Sequence, residues 1–137
     1  MSQHIEVTTR LVVQGGDGET ETFTATLSGT CHVARSGLLL HYAEPDNGGH
    51  TSLIVADGLV QLQREGHIKS QMTFVEGRML PMPYTSPHGA LDFSLFTHSA
   101  RHTVHANGGT LHLQYSLLNA GQHLSDNTLH VEWRTTE

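Results

Sequence analysis

Three features of this sequence could do chemistry: a set of 12 histidines, an arginine inside an otherwise apolar strand pattern, and a single cysteine. The histidines invite a metal. On a strand, two imidazoles chelate one ion best at i and i+2, roughly 6.5 Å apart, and the chain has no His-x-His. The spacing of His98, His102 and His105 suits a helix, but their segment has no helical pattern. His105, His112 and His130 fall on outward positions of neighbouring strands, where a solvated surface is the simpler reading. No metal and no cofactor is expected.

Arg64 is the sharper case. The dipeptide Asp57-Gly58 favours a tight hairpin turn, and a two-residue loop sets Val55 opposite Val60, Leu53 opposite Leu62 and Thr51 opposite Arg64. The guanidinium therefore shares the apolar face and needs a partner. Glu44, on one face with Leu38, Leu40 and Tyr42, is the leading candidate. His102 is placed inside by two further turns, Ser99-Ala100 and Asn107-Gly108, which set it opposite Thr97 and Leu113. Cys31 and His32 are adjacent on a strand and point to opposite faces, so they do not make a nucleophile and base. The serine elbow, phosphate loop and dinucleotide glycine motifs are absent.

The elements that must position these groups have a period of two. Ile5 to Val13 and Glu19 to Leu27 form a hairpin around Gly15-Gly16-Asp17-Gly18. Cys31 to Glu44 reads as one strand bent or interrupted at Ser36-Gly37. The strands Thr51 to Ala56 and Leu59 to Arg64 follow, then Ile68 to Val75, which matches the apolar face only if its connection has odd length or a bulge. Arg78 to Gly89 carries Pro81, Pro83 and Pro87 and is expected as an edge strand or loop. Ala90 to Thr97, Arg101 to Ala106, Gly109 to Leu118 and Thr128 to Thr135 complete the set, with Asn119 to Asn127 as a polar loop. Nine to ten strands with short connections predict one all-β domain over 1–137, an antiparallel up-and-down barrel; a β-sandwich is the alternative.

Composition narrows the rest. A net charge of −6 with one lysine, Lys69, argues against nucleic acid as a partner. One cysteine cannot build a disulfide framework, and a reducing compartment is the natural reading. With no leader-like start and no long apolar run, a cytoplasmic protein without membrane contact is expected.

Taken together, Tyr42-x-Glu44, Arg64-x-Gly66, Phe74-x-x-Gly77, Tyr84-Thr85 with Gly89, Thr97, and Gly109-x-Leu111-x-Leu113-x-Tyr115 resemble the YwiB-like family of small uncharacterised bacterial proteins. The resemblance covers nearly the whole chain. It implies a fold similar to the lipocalin-like, or calycin, barrels and carries over no activity.

Three functions compete. The first is a non-enzymatic barrel that binds a small apolar or amphipathic molecule, with Arg64, Tyr84, Thr97, His102, Tyr115, Glu44 and Tyr42 as ligand-binding candidates and the proline-rich segment as a lid. The second is a homodimeric interaction module with a filled barrel. The third and weakest is an enzyme for a small anionic substrate using Arg64, Tyr84 and His102. It requires those three to meet at one end, which fails if Met79 to Tyr84 crosses the barrel as a strand.

Overall fold

The structure, a computed structural model, describes residues 2–136. Its strands are β1 (Ser2–Gly15), β2 (Thr20–Ala34), β3 (Gly37–Glu44), β4 (Gly49–Ala56), β5 (Leu59–Glu65), β6 (Lys69–Phe74), β7 (Met79–Ser86), β8 (Gly89–His105), β9 (Gly108–Asn119) and β10 (Gln122–Thr135), with one 3-10 turn at Pro45–Asn47. Each strand pairs antiparallel with its chain neighbours, and β1 closes on β10, giving an up-and-down barrel in place of the sandwich alternative. Closure removes the two edges that an open ten-stranded sheet would expose. Among the described residues, no helix is long and apolar enough to cross a membrane.

The alternation of side chains divides wall from interior. Leu40, Leu53, Leu95, Leu111, Leu113 and Val131 are wholly buried, and Phe74 meets Tyr115 edge to face at 5.0 Å. Each such side chain contributes roughly 1.5–3 kcal/mol by leaving water. Trp133 fills the interior beside Gly109, where a Cβ would lie 2.4 Å from the indole, so that position must stay without a side chain. Cys31 is buried, and burial raises its thiol pKa.

The β4–β5 hairpin has the expected register, including Thr51 opposite Arg64, with Gly58 at φ +76° in its turn. β6 joins it with Ser70 opposite Arg64 and Met72 opposite Leu62, an odd-length connection as the apolar face requires.

Four expectations are corrected. Cys31 to Glu44 is not one strand: β2 runs on to Ala34, and Arg35-Ser36 turns it into β3. Ser99-Ala100 is not a turn, because β8 continues through it with a bulge between Thr97 and Ser99. The β6–β7 connection docks at that bulge: Gly77 N–H donates to the Thr97 carbonyl at 2.8 Å, and Ala100 N–H donates to Glu76 Oε1 at 2.9 Å. The loop expected at Asn119 to Asn127 is a hairpin, with Ala120-Gly121 at its tip and β10 beginning at Gln122. Its polar residues are strand residues because that end of the interior is itself polar. Alternation over Ala90 to Thr97 puts Leu91 on the inner face with Leu95, yet Leu91 is 50% exposed at the rim.

Arg78 to Gly89 contains a strand with an edge-like side. Ser86 and Gly89 flank a two-residue turn and pair with each other, so even-numbered β7 residues direct their backbone groups to β8 and odd-numbered ones to β6. Pro81 and Pro83 are odd. Their missing N–H groups face β6, and only Lys69–Thr85 and Ser70–Tyr84 pair across that seam.

Candidate binding site

The barrel has two unlike ends. One carries the β1–β2, β3–β4, β5–β6, β7–β8 and β9–β10 connections, and the other carries the remaining turns. Inward positions near the first end are occupied by Tyr42, Glu44, Thr51, Arg64, Ser70 and Asn127. The other half holds the aliphatic core. A polar layer of side chains therefore sits on an apolar plug.

Glu44 ends β3 and Arg64 lies near the end of β5, with Thr51 of β4 between them. Arg64 Nε donates to Glu44 Oε1 at 3.2 Å and Nη2 donates to Oε2 at 3.1 Å, while the Thr51 hydroxyl also donates to Oε1. Both charged side chains are partly buried, at 31% and 21% exposure, so the pair is desolvated on one side only. The two-point geometry explains why arginine suits this position better than lysine.

Asn47 holds the rim of this end. It is buried, its Nδ2 donates to the Ile68 carbonyl at 3.0 Å, and its Oδ1 accepts from the Ile68 N–H at 2.9 Å. The turn following Glu44 is thus tied to the turn following Arg64. Sequence reading missed this residue, since Asn47 within Pro-Asp-Asn-Gly-Gly signals a turn and nothing in that pattern signals a tether.

Tyr42 and Tyr115 are buried beside this pair. Loss of water raises the pKa of both phenols, Glu44 adds to the rise at Tyr42, and the Arg64 charge opposes it at both. Thr97, directly opposite Tyr115, is fully buried, and its hydroxyl has no hydrogen-bond partner among the described residues. Tyr84 lies opposite Ser70 and packs edge to face on Phe93 at 5.5 Å. At the β6–β7 seam, a hollow of about 170 Å³ opens in the wall, with Arg64, Ser70, Gln71 and Pro83 among its lining residues.

Six of the seven expected site residues, Arg64, Glu44, Tyr42, Tyr84, Thr97 and Tyr115, therefore belong to one half or to its floor. His102 does not. With β8 unbroken, it pairs with Leu111 near the opposite end, 27% exposed, its Nε2 3.8 Å from Asp57 Oδ1 in the β4–β5 turn. Since β7 crosses the barrel, Arg64 and His102 lie at opposite ends, and the acid–base trio with Tyr84 is not assembled.

The outer histidines also rearrange. His112 stands opposite His130, with ring centroids 6.1 Å apart, but His105 pairs with Gly108 at the hairpin tip and is remote from both. No cluster of three or more His, Cys, Asp or Glu suited to a metal occurs among the described residues. A different outer network was not anticipated: the Ser116 hydroxyl donates to Asp126 Oδ1 at 2.6 Å, and His98 and His123 reach Ser116 Oγ and Asp126 Oδ1 at 2.7 and 2.9 Å. These bonds, led by that from Ser116, hold the Asp126 carboxyl below its ordinary range. Serine sits between the imidazole and the carboxylate and donates to the latter, which is not the order that activates a nucleophile.

Fold and site together define a small closed β-barrel with a layer of polar side chains at one end. The chain belongs to a family of domains of unknown function, DUF1934, whose model matches residues 5–131. It is similar in fold to the crystal structure of the ywiB protein from Bacillus subtilis, with a TM-score of 0.84 and 22% identity, over 99% of this chain and 94% of that one. No curated protein matches the chain.

Proposed function

We propose that the protein is a non-enzymatic binding barrel that takes a small amphipathic molecule at its polar end. The observation that carries this reading is the hollow at the β6–β7 seam, which brings Arg64 and Ser70 within reach from outside. The two prolines of β7 leave the wall without a continuous ladder there. A polar head enters this hollow and meets the guanidinium donors that Glu44 does not use, and the apolar part lies along Tyr84, Phe93 and the exposed Leu91 of the same end. The aliphatic half below is occupied by its own side chains, so the ligand is held at the polar end and not swallowed by the barrel.

Thermal-shift screening and native mass spectrometry with fatty acids, tetrapyrroles and nucleobases test this. A bound species whose shift disappears in Ser70→Leu, a substitution that fills the hollow, supports the reading. Absence of any complex across the set, or binding indifferent to Ser70→Leu, removes it.

A further inference from the structure

The barrel wall is incomplete in a second place. β2 pairs with β1 from Thr20 to His32, but with β3 only from Gly29 to Ala34. From Thr20 to Leu27 its other side has no ladder partner among the described residues. Which backbone groups are free follows from the turns. Gly15 N–H donates to the Glu19 carbonyl, so odd-numbered β2 residues face β1. The Ala34–Gly37 pair flanking the Arg35-Ser36 turn independently puts even-numbered residues on the β3 side. Thr20, Thr22, Thr24 and Thr26 each therefore present an unpaired N–H and C=O to the open side, whereas Ser28 lies where the β3 ladder begins.

Open edges are usually blunted by lysine, proline or a covering loop. Between Thr20 and Ser28 there is neither lysine nor proline, the residues alternate threonine with Glu21, Phe23, Ala25 and Leu27, and Phe23 is 52% exposed.

We propose that this edge is the contact through which two copies of the chain associate, β2 against β2 in antiparallel register about a two-fold axis at Thr24. That centre lies within the open stretch and sets Thr22 against Thr26 and Phe23 against Ala25 of the second copy. Threonine pairs across strands are favourable on an outer face, and Phe23 gains an apolar neighbour.

The surface beside the edge favours the same arrangement. Beyond Thr20 the second copy must leave the ladder, because Tyr42 already occupies the position opposite Gly29. There the outer wall has a hollow of about 330 Å³ lined by His4, His41, His50, Ser28, Thr30 and Ala43, together with Gly29 and Tyr42, and by no acidic residue. Asp17 of the incoming β1–β2 turn arrives beside this imidazole-lined hollow. A self-complementary surface of this kind is what an isologous dimer requires. The contact does not depend on the binding role of the polar end.

Light scattering and analytical ultracentrifugation on the full chain test the proposal. The wild type is expected to be dimeric. Thr24→Pro removes an N–H that makes no bond within one copy, and Thr24→Lys places a charge on the edge. Each is expected to weaken association at least about tenfold with an unchanged far-UV spectrum. Thr24→Cys in a Cys31→Ser background is expected to cross-link copies on mild oxidation. A monomeric wild type, or a dimer insensitive to both Thr24→Pro and Thr24→Lys, overturns it.

Discussion

Arg64 and Glu44 are 20 residues apart in sequence, yet they meet through two parallel contacts of 3.2 and 3.1 Å inside the polar half of the barrel. The hairpin around Asp57-Gly58 brings them together by placing β4, with Thr51, between β3 and β5. The pair is neutral as a unit and uses only part of the guanidinium's donor set.

Breaking one side of the pair should therefore cost more than removing both. Glu44→Gln leaves a partly buried positive charge and is expected to lower stability by about 1–3 kcal/mol, while Arg64→Met combined with Glu44→Leu costs less. Urea denaturation of both variants measures the difference. A double variant no more stable than Glu44→Gln contradicts it.

Thr97 offers a prediction of opposite sign. Its hydroxyl is buried without a partner, so Thr97→Val is expected to be neutral or to stabilise the ligand-free protein by up to about 1 kcal/mol. Thermal melting of the variant decides. A clear loss of stability would show that a water or ligand serves this hydroxyl.

Tyr42 and Tyr115 should give the fold an alkaline limit. Their pKa values are raised above the ordinary phenol value of 10.0, so the unfolded chain loses those protons first and the folded state binds more of them. Stability is thus unaffected below pH 10 and falls as pH rises above it. Absorbance titration near the phenolate band is expected to show these two ionising only as the near-UV dichroism collapses, with Tyr42→Phe and Tyr115→Phe assigning the signal.

Asp126 works at the acid end. Its pKa is lowered by the hydrogen bonds from Ser116 and His123, so its contribution is present above the unfolded value and disappears as pH falls through the lower folded one. The carboxylate is well exposed, which limits the effect to less than about 1 kcal/mol. Melting temperatures of wild type and Asp126→Asn should converge below pH 3 and separate above pH 4. Parallel curves across that range would exclude the proposed linkage.

The contrast between β4–β5 and β8 shows what was legible in the sequence. Asp57-Gly58 allows one compact turn, and the apolar pairs on either side confirm its register, so Arg64 and Glu44 could be placed together before any coordinates. Ser99-Ala100 carries no such steric demand. There the break in alternation marks a bulge clasped by Glu76, a contact from a distant segment that local spacing does not encode. The error cost His102 its place at the site while leaving Thr97 correctly inside. The start of β10 was hidden for another reason: Ser125 and Asn127 point inward yet are polar, and period-two reading recognises an inner face by its oiliness. Tyr42, Tyr84 and Tyr115 were visible because aromatic bodies keep that signature even beside polar side chains.

Pro81 and Pro83 give the wall a line of least resistance. Where the other neighbouring strands share five or more facing residue pairs, β6 and β7 are held by two. Thermal opening should start there, with the amides flanking Ser70 and Tyr84 exchanging with solvent ahead of those in β9 and β10. A cylinder built this way can part along a single zip and reseal without dismantling its oily half.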